Sequence, residues 1–155
     1  MSAIAPLLDA ARQRLAGPPP VAQDGLGQEK VSRWRGTRIV PVGRAWHLGV
    51  LLLTDDAVLA TAEVLRSAAA VRRGYAAESA RERAARREQA RRGGFPEGAV
   101  VHVGWTPIDL DAVAAGAASG PLALLDGVPS VKWSRAGGYR PLGDYLDEQI
   151  ELLGR

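Results

Sequence analysis

The chain has 155 residues, 46% of them hydrophobic and 24% charged, and its twenty Lys and Arg against seventeen Asp and Glu leave a net charge of +3. That balance suits one globular domain and excludes a disordered chain, while so small an excess of base does not by itself imply a polyanionic partner. With no cysteine in the sequence, disulfides, thiolate zinc sites, iron–sulfur clusters and cysteine nucleophiles are excluded together.

Residues 2–16 carry Ile4, Leu7, Leu8, Ala11 and Leu15 at helical spacing, and Gly17 with three prolines ends the pattern. Acid and base fall inside this run, so it does not read as a signal peptide. Residues 17–30, which contain PPPVAQDGLGQ, read as a Pro/Gly linker, leaving 31–155 as a single domain. From 32 to 67 the pattern is that of strands. RWRGTRIVPV places Trp34, Val40 and Val42 on one parity, Gly43-Arg44 turns, and AWHLGVLLLT reads as a central strand apolar on both faces. Asp55-Asp56 turns again and AVLATAEVLR returns, completing a three-stranded meander. The longest apolar run, Leu48 to Leu53, is far short of the ~20 residues of a membrane span, and a cytoplasmic location is expected.

Residues 76–92 are a helix of Ala, Arg and Glu, stopped by Gly93-Gly94. AVVHVGW is the next strand, with Val101, Val103 and Trp105 on one face, and Asp109 or Asp111 caps a short helix in DAVAAGAA. PLALLDGVPSVKW reads as two strands about the hairpin dipeptide Asp126-Gly127. PLGDYLDEQIELLGR is an amphipathic helix with Leu142, Tyr145, Leu146, Gln149, Ile150 and Leu153 inward.

The fold class expected is α+β: a bent antiparallel sheet of about six strands, an N-terminal helix, an inserted Arg-rich helix and a C-terminal amphipathic helix. HLGVLLLTDDAVLAT, with the helix after the last hairpin, resembles the strand–turn–strand of a pleckstrin-homology-like split barrel, which implies a bent sheet closed at one end by that helix. The whole chain also resembles a small group of uncharacterised actinobacterial proteins, some of which carry the name glutaminase. The serine-dependent glutaminase pattern has Ser three residues before Lys, whereas Lys30 and Lys132 have Gly27 and Pro129 there.

No nucleophile elbow, Walker loop, dinucleotide fingerprint or H-E-x-x-H occurs. His47 and His102 lie on predicted strands and are the candidate catalytic residues, able to share a proton if the sheet brings them together. The plainer reading makes each a half-buried polar residue. No metal and no cofactor are expected. Asp55-Asp56 reads as a turn pair and Asp109 and Asp111 as caps. Trp46, Trp105 and Trp133 share parity with inward residues and read as core. Trp34, between Arg33 and Arg35, either stacks a ring between cations or packs as an edge-strand residue on the N-terminal helix, which is the preferred reading.

Between Arg72 and Arg92 there are eight arginines and three glutamates. The pairs Glu78–Arg81, Glu82–Arg86 and Glu88–Arg92 lie three or four apart, as in a helix that water holds up. Arg83, Arg87 and Arg91, spaced i, i+4, i+8 in line with Ala76, Ala80 and Ala84, form a stripe with no carboxylate along it. The reading favoured is a non-catalytic binding or regulatory module engaging a protein or anionic ligand through Arg83, Arg87, Arg91 and Trp34. A small amidase-like hydrolase using a histidine and an aspartate is the second reading, and a non-specific nucleic-acid binder the third.

Overall fold

The computed structural model describes residues 3–70 and 77–154. In chain order the elements are α1 (Ile4–Ala16), β1 (Asp24–Ser32), β2 (Gly36–Leu48), β3 (Leu51–Leu53), β4 (Val58–Ala60), β5 (Glu63–Arg66), α2 (Glu78–Gly93), β6 (Val100–Val103), β7 (Thr106–Pro107), α3 (Leu110–Ala114), β8 (Leu122–Leu125), β9 (Val128–Lys132), β10 (Tyr139–Pro141) and α4 (Leu142–Leu153). The class is α+β as expected. The strands number ten among the described residues rather than six, β1 and β6 run parallel, and no barrel closes. Among the described residues no helix is long and apolar enough to cross a membrane.

The chain divides into two compact units. One takes residues up to Gln23, Trp46–Ala60 and residues from Thr106 onward; the other takes Asp24–Ala45 and Thr61–Trp105. In the first, strands pair in the order β2-β3-β4-β7, and β10-β9-β8 form a separate three-stranded sheet. Its core gathers Ile4, Leu8 and Leu15 of α1, Leu48 of β2, Leu51 and Leu53 of β3, and Leu142, Tyr145 and Leu146 of α4. The apolar stripe of α1 is therefore part of this core and not an appendage ahead of it. Asp126 and Gly127 both take positive φ, the conformation that a two-residue hairpin between β8 and β9 demands.

AWHLGVLLLT is two strands rather than one. Trp46 pairs with Leu53, His47 with Leu52 and Leu48 with Leu51 across a two-residue turn opened by Gly49 at φ +64°. A Cβ at Gly49 would also collide with the Tyr145 hydroxyl. That hydroxyl donates to Leu48 O at 2.9 Å and accepts from Val50 N at 2.8 Å, so α4 holds the turn by its tyrosine. Burial raises the Tyr145 pKa above its ordinary 10.0, outweighing the lowering by the Val50 amide. The folded unit thus favours the neutral phenol. Its contribution is complete below about pH 10 and is lost as pH rises above that value. Tyr145→Phe should cost about 1–3 kcal/mol at neutral pH and flatten the alkaline fall in stability. An unchanged alkaline limb in urea titrations of the variant would show that other groups set it.

In the second unit the order is β5-β6-β1-β2. Residues 24–30, expected in a linker, belong to β1, and the glycines that suggested looseness serve close packing instead. A Cβ at Gly25 would stand 2.6 Å from Phe95 Cε1, and one at Gly27 would stand 2.5 Å from Ile39 Cγ2 and 2.9 Å from Val101 Cγ1. The expected turn at Gly43-Arg44 is absent, because β2 runs through it and a bulge at Leu26/Gly27 absorbs the irregularity. AVLATAEVLR splits into β4 and β5, which pair with different neighbours. Helix α2 covers Ile39, Val101 and Val103 through Ala90 and the following Phe95.

Candidate functional site

Helix α2 has almost no apolar residue to bury, and Ala90 is the one fully covered. Close backbone approach and long-range ion pairing hold it instead. Gly93 meets the Ile39 backbone with no room for a side chain. Arg86 donates to Glu63 at 2.7 Å and reaches Glu29, so one guanidinium bridges carboxylates on β5 and β1. Bonding to Glu63, more than the opposing burial, raises the Arg86 pKa and keeps it cationic. The local pairing of Glu82 with Arg86 is thereby replaced by partners distant in sequence. Glu88 and Arg92 do face each other, at 3.8 Å.

The arginine stripe divides. Arg83 and Arg87 line a cleft of about 500 Å³ together with Arg86 and Arg66, over Val64, Leu65 and Val100, with Glu63 at its side. Arg87 is steadied there by its Nε–H, which donates to Arg66 O at 3.0 Å. Arg91 does not join them. Its Nε lies 3.7 Å from Glu97 Oε2, so the stripe does carry a carboxylate at that end. Ala76, which the stripe was aligned on, lies outside the described residues. Glu63 and Arg86 also line a second cleft of about 610 Å³ with Glu29, Gln28 and Trp105, so their ion pair is common to both clefts.

The first cleft is lined by four arginines and one glutamate; Arg86 already pairs with that glutamate, Glu63, and Arg66 Nη1 donates to Gly98 O at 3.3 Å. Guanidinium forks bind planar or tetrahedral oxyanions through paired charge-assisted hydrogen bonds, and a partly apolar floor strengthens them by excluding water. Chemically the arrangement can hold an anion bearing an apolar part. Arg86, Glu63, Glu29 and Arg66 were missed in the sequence because helix rules see only partners three or four apart. The alternation of Glu63 and Leu65 with Val64 in a short strand was the available signal.

The two histidines fall in different units. His47 Nε2 donates to Gly49 O at 2.9 Å, beside the β2–β3 turn. His102 on β6 is 1% exposed, and its Nε2 donates to Asp24 Oδ2 at 2.9 Å. Asp24 is one of the residues read as linker, which hid this pair. Asp109 caps α3 by accepting from Ala112 N at 3.0 Å, and Asp56 bonds Thr54 within its turn, both as expected.

Trp34 is not an edge-strand residue on α1. It sits in the turn between β1 and β2 and is 91% exposed. Of the tryptophans read as core, Trp46 is buried, Trp105 is half-buried with its Nε1–H donating to Gly27 O at 3.1 Å, and Trp133, past the end of β9, is exposed. The chain matches no protein-family model, no curated protein and no solved structure.

Proposed function

We propose that the protein is a non-catalytic binding module, expected in the cytoplasm, that takes an anionic ligand with an apolar portion in the cleft between α2 and β5. One observation supports this above the others: Arg66, Arg83, Arg86 and Arg87 line one cleft together with Val64, Leu65 and Val100. Among the described residues Arg83 meets no carboxylate within ion-pair distance, and Arg87 is bonded only to a backbone carbonyl, so both keep donors for a ligand. The hydrolase reading loses ground because His102 is almost wholly buried against Asp24, an arrangement that suits a structural polar contact.

The test is a thermal-shift and calorimetric screen of the whole protein against organic carboxylates and phosphate esters of graded apolar size. A ligand that binds the folded state raises the melting temperature. Arg83→Gln and Arg87→Gln should each weaken the best ligand by about tenfold, the loss of one charge-assisted bond. Arg91→Gln, whose partner is Glu97, should leave affinity nearly unchanged. Equal weakening by all three would mean that only net charge counts, and a screen with no shift would sink the reading.

A further inference from the structure

We propose that the tip of the β1–β2 hairpin is a docking surface for an anionic lipid leaflet. The tip presents Val31 at 80% and Trp34 at 91% exposure, the two most exposed large apolar side chains among the described residues. Around them stand Lys30, Arg33, Arg35 and Arg38, and no Asp or Glu occurs between Glu29 and Asp55. Exposing an indole and an isopropyl group to water is unfavourable, and nothing in the packing of this unit requires it.

The charges carry a second cost. Lys30 lies directly opposite Arg38 in the β1–β2 register, so two cations face each other across the ladder, where like charges destabilise. Arg38 Nε is moreover buried with no hydrogen-bond acceptor. The repulsion between Lys30 and Arg38 falls away beside a surface of negative charge. The tip is also held in shape before any partner arrives. Ser32 Oγ accepts from Trp34 N at 3.3 Å and Arg35 N at 3.2 Å. From α2, Arg92 Nη2 donates to Arg35 O at 3.2 Å and Thr37 O at 2.8 Å. A preformed tip loses little conformational freedom on docking.

A leaflet fits this chemistry better than a nucleic acid does. Single strands are held by successive aromatic platforms along a cationic groove, whereas this hairpin offers one ring, with an aliphatic neighbour, at its end. Tryptophan favours the headgroup boundary, where its ring is apolar and its N–H stays wet, while Lys and Arg remain at the phosphate level.

The experiment is co-sedimentation of the full chain with phosphatidylcholine vesicles, with and without phosphatidylglycerol, read beside tryptophan emission. Binding is expected only to the anionic vesicles, with emission moving to the blue. Trp34→Ala should lower partitioning by about tenfold, and Arg33→Gln with Arg35→Gln by about fivefold for each charge removed. Trp34→Phe should retain most of it. The ring is exposed, so these variants keep the fold. The tip shares no residue with the four-arginine cleft, so Arg83→Gln with Arg87→Gln should leave the blue shift in place. Absence of vesicle binding, or binding that Trp34→Ala does not weaken, would overturn the proposal. A blue shift given by a single-stranded oligonucleotide and by no vesicle would overturn it in favour of base stacking.

Discussion

Leu146→Ala should lower the stability of the first unit by about 2–5 kcal/mol, the range for deleting a buried leucine side chain and leaving a cavity. Leu146 is buried in the core that also holds Leu8 and Leu15 of α1 and Leu142 of α4. The adjoining α4 residues cannot easily close the gap, because Tyr145 is fixed by bonds to Leu48 and Val50. Ile150, one turn on, is only partly buried, so Ile150→Ala should cost clearly less. Urea unfolding of both variants checks the order. A loss below about half a kcal/mol at Leu146 would place α4 outside the core.

Gly93→Ala sets two effects of opposite sign against each other. On helix propensity alone, alanine at the last residue of α2 should stabilise by up to ~1 kcal/mol. Packing predicts the reverse. A Cβ there runs into the carbonyl carbon and oxygen of Ile39, which are backbone atoms of β2 and cannot rotate away. Forcing them apart should cost about 3 kcal/mol, at the upper end for overpacking, and so outweigh the propensity gain. The melting temperature should fall, and the Arg86 pairs with Glu29 and Glu63 should loosen as the helix lifts. If the variant is as stable as the parent, α2 is not held at Gly93 and the floor of the arginine cleft is not fixed.

The two units differ in how much of them could be read from residue patterns. Helices α1 and α4 were legible because their leucines recur at a period that one buried face requires, and Asp126-Gly127 because its turn admits few other pairs. Gly25 and Gly27 were misread for a common reason. Glycine marks both a flexible chain and a place where another group comes close, and only the neighbours Phe95 and Ile39 tell which. The same limit hid half of the candidate site. Arg83 and Arg87 were visible as a stripe, but Arg66, Glu63 and Glu29 enter through strand pairing, whose register the helix sequence does not contain. Arg91 left the stripe because Glu97, past the helix end, came within reach.

Helix α1 and helix α4 share one core, and Arg14 on the former pairs with Asp147 on the latter at 2.6 Å. This circuit governs what a ribosome can finish, and when. Every residue of the second unit has been added once Trp105 is joined. The first unit holds α1 and the strand leucines from before that point, yet its core must wait through all of that synthesis until Leu142, Tyr145 and Leu146 emerge to complete it. A nascent chain stalled anywhere between 106 and 141 therefore has α1 backed by Leu48, Leu51 and Leu53 but not yet by α4, and leaves part of its apolar face open, the kind of surface that chaperones bind.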